Sequence, residues 1–308
     1  MTDAVSHRVP AAFSALRTLV TGVVDYAGLY PPASLSMRDA AANYADYCVS
    51  DDAWMLGRFL VPVARLAEWE STVGSLEASR IAAWHGAKLS VLLSGEFGSE
   101  ADQITAFNAV APFGVRIDAA EGRASTPDTV LATAAAMPDD VLLYCELPHR
   151  ADPIDLLHAV RSVGVRAKIR TGGVTPDAFP APAEIVRFLR RCAELGVTVK
   201  ATAGLHHPMR GEYRLTYAPD AIRGMMFGYL NVFLAAAAIR AGASDAFSTA
   251  VLENVDPGAF AIVDGAVSVL GLPLPDSVLS QMRADGVVAF GSCSFREPVD
   301  ELAALVFG

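Results

Sequence analysis

Lysine is almost absent from this chain of 308 residues: of its 24 basic residues only Lys88, Lys168 and Lys200 are lysine, and the other 21 are arginine. An ordinary surface cation here is an arginine, so a lysine inside an apolar segment calls for a chemical reason. Basic runs are also missing. With 34 acidic residues and a net charge of -10, no segment is suited to tracking a phosphate backbone, and nucleic acid is not an expected partner. The four cysteines, Cys48, Cys145, Cys192 and Cys293, show no paired metal spacing, as in a chain kept in a reducing cytoplasm, and no metal or other cofactor is expected. The longest uncharged run, Gly224 to Ile239, is 16 residues between Arg223 and Arg240. A bilayer span needs about 20, so this run reads as a buried helix and no membrane partner is expected. The opening residues, with an early Asp3 and a broken apolar stretch, lack the pattern of a secretory signal, which points to a cytoplasmic location.

What is abundant is apolar sequence, 53% of residues with a mean hydropathy of +0.35, enough for a buried parallel sheet covered by helices. Eight short runs rich in Val, Ile and Leu fit strands: Leu19–Tyr26, Gly57–Val63, Ala87–Ser94, Phe113–Ala120, Asp140–Glu146, Gly164–Thr171, Gly196–Ala203 and Gly286–Ser292. Helical stretches lie between them, for example Ser36–Tyr47 and Ala183–Leu195, the second opened by prolines. The first seven runs start 24 to 38 residues apart, the length of one strand, one helix and two loops. Eightfold alternation predicts a single α/β domain over residues 1–308, a (β/α)8 TIM barrel. The interval before the eighth run is about 90 residues, which predicts a helical insertion over 205–285, with helices around 221–241, 244–253 and 257–270 apolar enough to pack on the barrel or to form a homodimer. An open doubly wound sheet would carry a glycine-rich turn after its first strand, whereas Ala27-Gly28-Leu29-Tyr30-Pro31-Pro32 holds two prolines and cannot cradle a pyrophosphate.

Reactive groups in a barrel come from the carboxyl ends of its strands. Pleat alternation sets Arg166, Lys168 and Arg170 on one face of the sixth strand, and Thr198, Lys200 and Thr202 on one face of the seventh. Neighbouring strands lie about 4.8 Å apart, so two inward lysines at one height would depress each other's pKa, and a neutral lysine is the nucleophile of a Schiff base. Asp118 and Glu146, near the ends of the fourth and fifth strands, are the carboxylates expected either to shuttle protons or simply to neutralise the lysines. Asp25, in the first strand, either contacts substrate with Tyr26 or belongs to a rigid turn. The loops after strands seven and eight bring His206, His207, Arg210, Gly291, Ser292 and Ser294. With Arg170, they suit a site for an anionic group of a small-molecule substrate.

The strand-six sequence Ala167-Lys168-Ile169-Arg170-Thr171-Gly172 resembles the Lys-x-x-Thr-Gly motif of the deoxyribose-phosphate aldolase family. Val199-Lys200-Ala201-Thr202-Ala203-Gly204 and Phe290-Gly291-Ser292-Cys293-Ser294 are similar to that family's seventh and eighth strands. The resemblance covers about 140 residues and implies a class I aldolase-like lyase in which Lys168 forms the imine and Lys200 perturbs it, with Thr171 and Gly172 beside the nucleophile. Pleat geometry alone treats the two lysines alike. The family continues strand seven with Gly-Gly-Ile/Val-Arg where this chain has Leu205-His206-His207, so deoxyribose phosphate is not the implied substrate. Two other readings fit the residues: a metal-assisted hydrolase or isomerase built on His206, His207 and Glu146, and a non-catalytic barrel that binds an acidic metabolite or a partner through 205–285.

Overall fold

A computed structural model describes residues 14–263 and 265–307. The opening residues read above for a signal, Met1 to Phe13, lie outside the described residues. In chain order the strands are β1 (Val24–Tyr26), β2 (Leu56–Pro62), β3 (Lys88–Leu92), β4 (Arg116–Arg123), β5 (Leu142–Glu146), β6 (Arg166–Arg170) and β7 (Val199–Thr202). Five short strands follow, β8 (Gly211–Arg214), β9 (Arg223–Met226), β10 (Phe260–Val263), β11 (Ala266–Val269) and β12 (Leu272–Pro275), before β13 (Val287–Ser292). β1 to β7 and β13 pair in parallel and close on themselves in the order β1-β13-β7-β6-β5-β4-β3-β2. The fold is an α/β barrel of the TIM type, and each of the eight expected runs overlaps one barrel strand.

Two strand edges differ from the sequence reading. Leu19 and Val20 belong to the helix Ser14–Val20, because Gly22, at φ 57, turns the chain before the first strand. The fourth strand starts three residues later than expected, since Ala111, Phe113 and Gly114 all take positive φ in a tight turn. The covering helices start and stop where their ends are satisfied. Ser36 accepts a hydrogen bond from the Asp39 N–H at the head of Met37–Cys48. Pro182 opens Pro182–Leu195, whose Glu184 carboxylate reaches back to the Ala181 N–H, and Gly196 in left-handed conformation ends it. That helix buries Ile185, Val186, Phe188, Leu189 and Cys192, one face at helical spacing.

The interval between β7 and β13 contains more sheet than expected. β8 and β9 form an antiparallel hairpin, and β10, β11 and β12 a three-stranded antiparallel sheet. The helix expected at 257–270 is therefore absent: Gly265 and Gly271, at φ 70 and 80, turn the chain between strands too short to become helix. Helix Asp245–Glu253 coincides with its expected run, whereas the run 221–241 is helix only over Tyr229–Arg240, its first part being strand β9, and Asp276–Asp285 leads into β13. Every side chain from Tyr229 to Ile239 is buried; Tyr229 stacks on Phe290 of β13 with ring centroids 4.8 Å apart. Among the described residues no helix is long and apolar enough to cross a membrane.

Candidate functional site

Lys168 and Lys200 are register partners on β6 and β7, both pointing into the barrel and both buried. Two ammonium groups side by side in a low-dielectric interior repel, and carboxylates on other strands resolve the conflict. Glu121 of β4, fully buried, spans the pair, 2.8 Å from the Lys168 Nζ and 2.6 Å from the Lys200 Nζ. Its Oε1 also accepts a 2.7 Å hydrogen bond from the Ser90 hydroxyl. Asp25 of β1 closes on Lys200 from the far side and accepts the Arg58 N–H at 2.6 Å. Glu146 of β5 lies 3.0 Å from the Lys168 Nζ and 3.4 Å from Arg123.

At Lys200 the electrostatics depart from the expected depression. Burial pushes the Lys200 amine down, but the charges and hydrogen bonds of Asp25 and Glu121 outweigh it and hold its pKa above the ordinary lysine value. Burial likewise acts to raise the Glu121 carboxyl, and the two lysines overcome it and hold it well below the ordinary carboxylate range. Lys200 is thus a fixed cation, ion-paired on two sides.

Lys168 differs from Lys200 in what lies above it. A cavity of about 260 Å3 opens at the carboxyl ends of the strands and is lined by Lys168, Glu121, Arg170 and Thr202, but not by Lys200. Tyr30 and the two prolines of the first loop form part of its wall, and Leu215 and Met226 reach it from the β8–β9 region. The Tyr30 hydroxyl is buried and makes no hydrogen bond among the described residues, which leaves a donor for a ligand. Ala203 and Gly204, also on the wall, turn the chain sharply out of β7 with φ 63 and 71.

The structure brings some of the expected residues to this cavity and keeps others from it. Lys168, Arg170, His206 and Gly291 line it. Asp118 does not reach the lysines. It sits at the amino end of β4, bound by both Arg58 nitrogens at 2.6 and 2.9 Å and 3.3 Å from Lys88. The reason is a register irregularity: Leu89 pairs with Ile117 and Ser90 with Ala119, so the ladder passes over Asp118 and the alternation reverses. Glu121, not Asp118, then faces inward, and no simple period-two reading finds it.

Asp25 serves as the partner of Lys200 rather than as a lining residue. Thr171 is fully buried and donates to the Ala203 carbonyl at 2.7 Å, and a Cβ at Gly172 would run into the Phe179 ring, so both hold the β6 and β7 loops together. Arg210 lies over the Phe227 ring and His207 is stacked on Tyr213 and bonded to Glu301, both away from the cavity lining. The two histidine rings are 6.4 Å apart. Among the described residues no three His, Cys, Asp or Glu side chains are grouped to hold a metal ion.

Ser292 and Ser294 belong to a second cluster on the same rim. The Ser294 hydroxyl accepts the Glu297 N–H at 3.1 Å, capping helix Arg296–Phe307, and the Ser292 hydroxyl lies 3.4 Å from the His206 Nδ1. Glu297 meets the His206 Nδ1 at 3.0 Å and accepts from the Tyr217 hydroxyl at 2.9 Å. The Cys293 Sγ sits 3.9 and 4.0 Å from the two ring nitrogens of His206, Nδ1 and Nε2, and, like His206, lines the cavity. Burial lowers the His206 pKa, but its contacts with Cys293 and Glu297 overcome this and push it up to about 9. The spacing Ser294-Phe295-Arg296-Glu297 is a capping-box signal that could have pointed to Glu297. Comparison of the chain with protein-family models, with curated proteins and with solved structures found no match, so the function is argued from the site itself.

Proposed function

We propose that this chain is a class I, Schiff-base carbon–carbon lyase of the aldolase kind, acting on a small oxygenated aldehyde, ketone or sugar derivative, with Lys168 as nucleophile. One observation carries the reading: of two adjacent buried lysines, Lys168 alone borders a cavity, and it does so between two carboxylates. Both lysines are paired to two carboxylates, so what supports the choice of Lys168 over Lys200 is the open space that Lys168 alone lines.

The chemistry follows from these positions. Lys168 passes a proton to Glu146, 3.0 Å away, and the free amine attacks the substrate carbonyl carbon; the C–N bond forms as the C=O pair moves to oxygen. Glu146 returns that proton to the carbinolamine oxygen, takes a second one from the added nitrogen and delivers it to the same oxygen, which leaves as water while the iminium nitrogen keeps its last proton. That cation draws electrons from the neighbouring C–C bond while a carboxylate removes the β-hydroxyl proton, an aldehyde departs, and the enamine is protonated on carbon before water releases it. Lys200 remains a cation throughout, and Glu121 keeps the two amines apart. The Tyr30 hydroxyl and the Arg170 guanidinium are the donors for substrate oxygens.

Incubation with a panel of small sugars, aldehydes and keto acids, followed by borohydride and intact-mass measurement, tests the reading. One reduced adduct per chain is expected with an active compound. No adduct with any compound that the protein cleaves contradicts it.

A further inference from the structure

The cavity contains a second group of reactive side chains that the lysine chemistry does not use. Cys293 follows β13 and His206 follows β7, so the pairing of these two strands brings together residues 87 apart in sequence. Glu297 holds the His206 Nδ1 at 3.0 Å and fixes the ring, and the Cys293 Sγ lies against that ring, 3.9 Å from Nδ1 and 4.0 Å from Nε2. A carboxylate that orients an imidazole, with that imidazole against a thiol, is the arrangement in which a cysteine becomes a nucleophile. We propose that Cys293, served by His206 and Glu297, is a second nucleophile of this cavity and captures small aldehydes reversibly as thiohemiacetals.

The step balances within the cluster. His206 takes the thiol proton, the sulfur adds to the aldehyde carbon, the C=O pair moves to oxygen, and the imidazolium returns the proton to that oxygen. No oxidant or cofactor is needed. The other groups facing the sulfur are phenols. The Tyr217 hydroxyl lies 3.5 Å from Sγ, and burial pushes both Tyr217 and the nearby Tyr26 above the ordinary tyrosine value, so neither competes as a base at neutral pH. Among the described residues no histidine is bonded to any of the other cysteines. Burial pushes Cys48 up to about 11 and Cys145 up to about 12, and it holds fully buried Cys192 well above its ordinary value.

Two measurements on the full chain test this. Iodoacetamide at neutral pH, with peptide mapping over time, should label Cys293 at least about tenfold faster than Cys48, and His206→Gln or Glu297→Gln should slow that labelling about tenfold or more while the folded spectrum is retained. Equal rates at Cys48 and Cys293, or labelling of Cys293 that neither substitution slows, overturn the proposal. Glycolaldehyde labelled with carbon-13 at its carbonyl should give a protein-bound sp3 carbon signal that disappears in Cys293→Ser. A signal that survives that substitution, or no signal in the wild type, overturns the aldehyde capture. An imine on Lys168 has an sp2 carbon, so failure of the lyase reading and failure of this one register separately.

Discussion

β4 carries two carboxylates three residues apart, and each is held by two cations, yet their surroundings differ. Asp118 is bound by Arg58 and Lys88 at the amino end of the strand, where its side chain is 22% exposed and Lys88 is 63% exposed. Glu121 is bound by Lys168 and Lys200 in the barrel interior, where it is fully buried and borders the cavity. The same charge pattern is an ordinary partly solvated ion pair at one end and a desolvated network at the other. In water such a pair contributes little, whereas in the interior the loss of one member leaves an uncompensated charge. What separates structure from chemistry here is burial and an open space beside one cation, not the residue types.

Substitutions at the two clusters sharpen this contrast. The largest effect is expected from Lys168→Arg, which keeps a cation for Glu121 and Glu146 but cannot form an imine; lyase turnover should fall by about 10^4-fold or more with the fold intact, as steady-state kinetics with circular dichroism would show. Retained turnover would place the nucleophile elsewhere. Next is Glu121→Gln, which leaves Lys200 with Asp25 alone and brings the lysines into direct repulsion. Denaturant unfolding should show a loss of about 3–5 kcal/mol. Asp118→Asn should cost less than Glu121→Gln in the same measurement, because Lys88 is solvated and the Asn oxygen still accepts from Arg58. Comparable costs at the two positions would break the comparison.

The pH dependence has a definite sign. The Glu121 pKa is lower in the folded state than its ordinary value of 4.5, so its contribution is fully present above that value and is lost as pH falls below it. The Lys200 pKa is raised above 10.5, so its contribution is present below that value and is lost as the solution becomes more alkaline. The stability gap between wild type and Glu121→Gln should therefore be widest through the neutral range and narrow in acid. A gap that widens below pH 4.5 would contradict the assignment.

Much of the barrel was legible because a buried parallel strand is a short apolar run and its helix an amphipathic one, and these signals repeat. Lys168 and Lys200 stood out because lysine is otherwise nearly unused, and Glu146 because it ends a strand next to Lys168. Glu121 was hidden by the irregularity at Asp118, a backbone event that changes which residues point inward without changing any residue type. The sheet formed by β10, β11 and β12 was hidden by an apolar composition that fits helix as well as strand; Gly265 and Gly271 at its turns and Pro273 and Pro275 in β12 were its markers. Cys293 and Glu297 follow β13 and His206 follows β7, two segments far apart in sequence that the pairing of these strands unites, and the histidine's place beside a thiol is not visible in either segment alone.

The central claim is that Lys168, not Lys200, forms the imine. Borohydride reduction in the presence of a cleaved substrate, followed by peptide mapping, tests it most directly. The adduct mass is expected on the peptide containing Lys168 with Lys200 unmodified, and an adduct on Lys200 with Lys168 free would contradict the account.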